Sequence, residues 1–375
     1  MPIRKNSRKN NLLARQTSGD VFLLAAVILL SVIGCVFIYS ASSYSAQSAY
    51  GDAFFFVKKQ AIGILLGIAA MLFTANVSYE KLKKFALPFA VVAIILLAMV
   101  FIPGVGVENY GAKRWIGIGS LTIQPSEIAK FSFILFTATY AAKKPERMRS
   151  FRGILPVLAY GAVLCVLIIL EPNMSITACM GMLMIAMLFS AGMKVGHFLC
   201  ILLPALALGV GLIFAEPYRL NRLSAFLNPW ASPKGEGYQL IQSLYALGSG
   251  GWFGVGLFCS RQKYAFLPFS ESDFILSVIG EETGFIGLLA FFALLGFIIY
   301  RGIRIVSKTK NVFAYLLAMG ITFIFGIQVL INALVVTGSI PPTGLPLPLV
   351  SSGNTSIIIF LAEFGVLYNI SKGEL

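Results

Sequence analysis

The sequence predicts an all-α polytopic membrane protein of ten transmembrane helices, with a large extracytoplasmic loop between helices 7 and 8. Three observations predict it. Hydrophobic residues make up 58% of the 375 residues and charged residues only 12%, the balance of a polytopic membrane protein rather than of a soluble core. Ten apolar stretches are long enough, or nearly so, to cross a bilayer, which takes about 20 residues per helix. Lys and Arg are also shared unequally between alternate connecting segments, as the positive-inside rule requires.

The stretches are Val21–Ala41, Gln60–Ala75, Phe85–Ile102, Pro125–Ala141, Ile154–Leu170, Ser175–Gly192, Phe198–Ala215, Phe274–Tyr300, Phe313–Val336 and Val350–Ile370. They are long and lack period-two alternation, which argues against a β-barrel. With the N-terminus in the cytoplasm, the inner segments 1–20, 76–84, 142–153, 193–197, 301–312 and 371–375 carry 19 basic residues against nine in the outer loops, and Lys130 lies within a span. Both termini are then cytoplasmic: a basic tail, 1–20, and a short end, 371–375, flank one membrane domain, 21–370. Outer loop 216–273 is its largest hydrophilic part. The net charge of +14 follows from basic loops facing anionic lipid and needs no nucleic acid. The first span, with 21 apolar-run residues, exceeds the ~7–15 of a cleavable signal peptide. One histidine, His197, leaves no His-based metal site.

Along the chain, the outer loop Pro103–Gln124 holds Lys113, Arg114 and Trp115 among glycines. A point charge and a fork of donors suit a phosphate or pyrophosphate; an interfacial anchor is the simpler alternative. The fourth span opens with Pro125, which suits a first helical turn. Glu127 and Lys130 follow at i, i+3 and can neutralise each other, facing the bundle interior or a cavity. Glu171-Pro172-Asn173 is a tight outer turn. Within 216–273, Tyr218 to Trp230 suggests a loop folded on the interface, and a glycine-rich run follows Tyr238–Tyr245. Arg261 and Lys263 stand just before an acidic stretch. Gln328 and Asn332 form an i, i+4 polar pair. Prolines 341, 342, 346 and 348 forbid a regular helix before the last span, and Glu363 within that span needs a partner.

The acidic stretch, Leu267–Glu282, carries Glu271, Asp273, Glu281 and Glu282, four of the chain's 15 acidic residues. A carboxylate at the edge of a membrane segment is costly and needs a partner or a function. A helix starting near Asp273 would put Asp273, Ser277, Gly280, Glu281 and Gly284 on one face. The simpler alternative is a capped helix start, with Ser270 or Ser272 as N-cap.

These stretches carry a resemblance. RWIGIGSLTIQPSEIAK (114–130), LNPW (227–230), GYQLIQSLYALGSGGWFGVGL (237–257), LPFSESDFILSVIGEETGFIG (267–287) and PPTGLPLPLVSSGNTS (341–356) resemble the SEDS family of FtsW, RodA and SpoVE over nearly the whole length, and FtsW or SpoVE more than RodA. The resemblance implies a ten-helix fold that polymerises lipid II into glycan strands outside the cytoplasmic membrane of a bacterium, at the division septum or in sporulation. It implies a class B penicillin-binding protein transpeptidase as partner, along with other division or elongation proteins. The family's essential aspartate matches Asp273. Ser270-Glu271-Ser272, Glu171-Pro172-Asn173 and Ser351-Ser352-Gly353-Asn354 depart from the family's usual residues.

Joining a sugar hydroxyl to an anomeric carbon that leaves a lipid pyrophosphate needs a base and cations. On the resemblance, Asp273 is the base. Lys113 and Arg114, then Arg261 and Lys263, are candidates for the pyrophosphate; Glu127 and Lys130 would shape the lipid's cavity, with Glu271 beside the base. No cofactor is implied with certainty, and a divalent cation stays open. Two alternatives of other classes are a flippase of lipid-linked precursors and a non-catalytic scaffold.

Overall fold

In a computed structural model, the structure describes residues 19–109, 112–118, 121–214, 217–264 and 266–374. Most of the expected basic tail 1–20, and residue 375, lie outside them. In chain order the helices are α1 (Val21–Tyr50), α2 (Phe55–Asn76), α3 (Tyr79–Met99), α4 (Pro125–Lys143), α5 (Phe151–Leu170), α6 (Met174–Ser190), α7 (Val195–Phe214), α8 (Pro217–Leu227), α9 (Tyr238–Gly250), α10 (Ile275–Lys308), α11 (Val312–Val336) and α12 (Asn354–Glu374). Each of the ten apolar stretches is helical over most of its length. Among the described residues seven helices, α1, α2, α3, α5, α10, α11 and α12, are long and apolar enough to cross a membrane. The chain is a multi-pass membrane protein.

Its polarity is that of a protein dissolved in lipid. Leu65, Phe73, Leu87 and Leu208 are each more than half exposed, while Glu127, Lys130, Gln328 and Glu363 are buried. Charges belong inside such a bundle, where they find partners. At its centre α11 packs on α4, α6, α10 and α12. Helix α2 lies along α12, and the approach is close because Gly63 and Gly67 face Ile357 and Leu361. Small residues at a crossing let backbones come together without a hydrophobic driving force. Thr74 Oγ1 donates to Ala362 O at 2.8 Å, and Asn369 Nδ2 to Ala75 O at 2.9 Å.

The all-α expectation misses one element. Residues Gly106–Asn109 (β1), Ala112–Ile118 (β2) and Leu121–Ile123 (β3) form an antiparallel sheet in the order β1-β2-β3. The strands are only 4, 7 and 3 residues long, so hydropathy over the loop conceals them. Two helices, α8 and α9, lie in the expected loop 216–273.

Helix α10 is broken at Gly284, whose φ of 67° and ψ of −168° leave the helical region; only glycine adopts this conformation readily. The freed backbone groups are taken up by the segment after α9. Val255 N donates to Glu281 O at 2.9 Å, Gly256 N to Glu282 O at 3.1 Å, Phe285 N to Gly251 O at 2.9 Å and Ile286 N to Trp252 O at 3.2 Å. Gly254, at φ 80°, touches the Glu282 carbonyl, where a Cβ would have no room.

At the opposite end of α10, Arg301 clamps Asp20: Nε lies 2.7 Å from Oδ2 and Nη2 2.5 Å from Oδ1. Asp20 Oδ1 also accepts from Leu23 N at 3.1 Å, capping α1, and Asp20 N donates to Ser371 Oγ of α12 at 2.8 Å. Arg301→Ala would strand a buried carboxylate and is expected to cost about 3–5 kcal/mol. Thermal melting in detergent checks this, with the Asp20→Ala/Arg301→Ala pair expected to regain part of the loss.

Candidate functional site

Asp273 lies two residues before α10, in a turn rather than in the helix. Phe274 is the N-cap and makes no side-chain cap bond. The capped-start alternative therefore falls: Ser272 Oγ donates to Asp273 Oδ1 at 2.6 Å, and Ser270 Oγ donates to Ala41 O at 3.1 Å. The proposed one-face seam starts too early, because Asp273 precedes the first helical residue.

The proline-rich loop 341–353 holds this turn. Asn332 Nδ2 on α11 donates to both Asp273 O and Leu345 O at 2.9 Å. Ser352 N donates to Glu271 O at 2.9 Å. Ser351 Oγ donates to Ser272 O at 2.5 Å and accepts from Leu347 N at 2.8 Å. Buried Gln60 on α2 bridges the far side, donating to Ser351 O at 3.3 Å and accepting from Gly353 N at 3.4 Å. The backbone at Gly344, with φ 71°, comes beside Asp273 Oδ2, and a Cβ there would stand 3.3 Å from that oxygen. Phe269 and Leu349 both take positive φ, 57° and 66°, a backbone cost tolerated only where the surroundings over-determine it.

The carboxylate's field comes from two arginines. Burial raises the Asp273 pKa above the ordinary carboxylate range; the Ser272 hydrogen bond, then Arg222 and Arg114, oppose that rise. Arg222, on α8, reaches Pro342 O at 3.4 Å. It lines a small cleft with Phe226, Glu236, Gln239 and Pro342. Arg114, on β2, donates from Nε to Glu171 O at 3.2 Å and from Nη2 to Pro172 O at 2.5 Å. The tight turn after α5 thus holds the guanidinium by backbone carbonyls. Ser175 Oγ, at the start of α6, donates to Thr343 O and ties the same turn to the proline-rich loop.

The other sequence-predicted residues divide. Glu271 sits beside Asp273, and burial raises its pKa while the neighbouring Asp273 charge adds to the rise. Lys113 stands exposed next to Arg114, and the register of β1 on β2 shifts between them, since Glu108 faces Lys113 and Val107 faces Trp115, which makes Arg114 the extra residue of a β-bulge. Lys263 Nζ donates to Phe258 O, and Arg261 is exposed; among the described residues neither side chain contacts Asp273. Glu127 and Lys130 form the expected ion pair at 2.7 Å, each 2% exposed. Glu363 on α12 is buried, and its Oε2 has no hydrogen-bond partner among the described residues. Sequence reasoning left Arg222 and Glu171 out of the site. Among the described residues no group of three or more His, Cys, Asp or Glu could hold a metal ion.

Glu171 is buried and neither of its side-chain oxygens has a hydrogen-bond partner. Burial pushes its pKa up to about 8, against the pull of Arg114. The native state therefore keeps a proton that the unfolded chain has lost. Stability is full below about pH 4.5 and falls as pH rises toward about 8. Glu171→Gln should remove that part of the decline, so its melting temperature should drop less than the wild type's between pH 5 and 9.

Comparison with known proteins agrees with this architecture. The family model described as "Cell cycle protein" for FtsW, RodA and SpoVE matches residues 20–374. Stage V sporulation protein E of Bacillus subtilis (strain 168) is 40% identical over 359 residues, covering 96% of this chain and 98% of the relative. The probable peptidoglycan glycosyltransferase FtsW of Trichlorobacter lovleyi is 40% identical over 360 residues, covering 96% and 94%. A chain of a solved peptidoglycan synthase complex, described as coordinating polymerization and crosslinking, superposes with a TM-score of 0.79 at 26% identity, covering 96% of this chain and 99% of that one. This chain belongs to the FtsW/RodA/SpoVE family.

Proposed function

We propose that the protein is a peptidoglycan glycosyltransferase that polymerises lipid II on the outer face of the bacterial cytoplasmic membrane, in septal or sporulation wall synthesis. The chain crosses ten times with both termini inside, so that 216–273 and the Asp273 turn face outward. Relatives named as such glycosyltransferases support the activity. The similar chain from a synthase complex supports a class B penicillin-binding protein transpeptidase as partner.

The observation that carries the reading is the Asp273 carboxylate, held by backbone it does not itself control and placed in the field of Arg222 and Arg114. Asp273 takes the proton of the acceptor sugar hydroxyl as that oxygen attacks the anomeric carbon. A raised pKa brings a carboxylate nearer the working pH, where a general base is most effective. Arg114 and Arg222 stabilise the charge that develops on the departing pyrophosphate. Fixed donors do this without reorganising, and the carbonyls of Glu171, Pro172 and Pro342 hold the guanidinium groups. Glu127 and Lys130, with Glu363, line the route of the lipid in the membrane interior.

A flippase is the second reading. It is favoured by one observation: Glu127 Oε2, Glu363 Oε2 and both polar atoms of Gln328 are buried without hydrogen-bond partners, as a polar path through the bundle would have them.

Purified protein with labelled lipid II, alone and with the transpeptidase partner, tests the reading. Asp273→Ala should insert and melt like the wild type yet make no glycan strands; strands from that variant would refute the base. Transfer of intact lipid across vesicles without strands would favour the flippase. Arg222→Ala and Arg114→Ala should each lower the rate by about 10²–10³, the scale of one lost charge-stabilising donor. Lys113→Ala should stay within about ten-fold of the wild type, because Lys113 is exposed and is not among the cations acting on Asp273; product ladders on gels measure all three.

A further inference from the structure

The segment that repairs the break in α10 is also among the most apolar exposed parts of the molecule. Trp252 is 67% exposed and Phe253 82%; Val255, Leu257 and Phe258 are exposed as well. We propose that residues 251–258 form a re-entrant loop whose aromatic tip is embedded in the bilayer, at the upper acyl-chain level of the leaflet adjoining the break. The loop is a lipid-binding surface, separate from the sugar-transfer chemistry.

Depth comes first. Residues 285–300 of α10 carry no charge and end at Arg301, which is tied to Asp20. A hydrocarbon core of about 30 Å takes about 20 helical residues at ~1.5 Å each. Counting back from Arg301 puts the other boundary near Glu281. The loop is hydrogen-bonded to Glu281, Glu282, Phe285 and Ile286, so it lies at that boundary or just inside it, whichever side faces outward.

Continuity comes next. Phe285, Ile286 and Leu289 are the exposed residues of α10 directly below the break, and on a spanning helix this stripe faces lipid. The Trp252 ring packs edge-on against Phe285, with centroids 5.4 Å apart and planes 81° apart. The indole therefore extends the lipid-facing stripe sideways. Irregular backbone survives at membrane depth only if its polar groups are met inside the protein. The four hydrogen bonds across the Gly284 break meet that condition, leaving the side chains free to face lipid. Trp is the residue favoured at this level. Arg261, exposed and with its backbone N–H bonded to Glu281 Oε1 at 3.1 Å, places a cation at headgroup height.

The chain has three tryptophans, Trp115, Trp230 and Trp252. The variant W115F/W230F isolates the third. It is reconstituted alone in phosphatidylcholine vesicles containing lipids brominated either near the glycerol end or near the methyl end of the acyl chains. The expected result is a large loss of emission with the shallow bromines, a smaller loss with the deep ones, and little quenching by aqueous iodide. Quenching by iodide but not by brominated lipid would overturn the proposal and leave the loop in water. Protection from both would overturn it too, because a protein contact such as a second copy would then cover the tip. Should the double variant fail to fold, the difference between the wild type and W252F reads the same residue in otherwise native protein.

Discussion

An unmet backbone N–H or C=O inside a bilayer costs several kcal/mol, and the architecture around Asp273 answers that cost at each irregular segment. The loop 341–353 contains four prolines and cannot be a helix, so its carbonyls need donors. Asn332 and Gln60 supply them from neighbouring helices, while Ser351 and Ser352 pair the loop with the 271–273 turn. The hydrogen bonds that make the loop tolerable are the same ones that hold the aspartate. A rigid carboxylate results without any helix having to carry it.

That placement creates an electrostatic contest. Desolvation drives Asp273 toward its neutral form, while the Ser272 hydroxyl and two guanidinium groups favour the anion. Burial is the largest of these effects, so the pKa of Asp273 stands above the ordinary carboxylate range. Glu171, a short distance along the same network, lacks any hydrogen bond to its oxygens, and burial pushes its pKa up to about 8. Both carboxylates lie in the field of Arg114, and in both burial outweighs that pull.

Much of this was legible in the sequence because it is local. Apolar runs gave the long helices, an i, i+3 spacing gave the Glu127–Lys130 pair, and one family motif marked Asp273. What the sequence concealed depends on contacts far apart in the chain. Arg222 meets Pro342 across 120 residues and Arg114 meets Glu171 across 57; no spacing rule connects them. Nor does hydropathy over a loop show that Lys113 and Arg114 stand at a β-bulge, which depends on the pairing of β2 with β1. The β-favouring Trp115 and Ile116 were the available signal for β2. A helix start at Asp273 was also too early: the serines that resemble caps are bonded to Asp273 Oδ1 and Ala41 O instead.

Glu281 and Glu282 show why acidic residues near a site need not belong to it. Glu281 accepts from the backbone N–H groups of Arg261 and Gln262 and from the Ser260 hydroxyl. Glu282 accepts from Ser260 N at 3.2 Å and from the Ser40 hydroxyl of α1. Two carboxylates therefore anchor segment 260–262 to α10 and to α1 next to the Gly284 break. This anchoring uses the backbone of Arg261 and leaves its side chain at the surface. The cations just before the acidic stretch sit near it in sequence because they edge a loop fastened to the membrane helix, whereas the cations that reach Asp273 come from α8 and from β2.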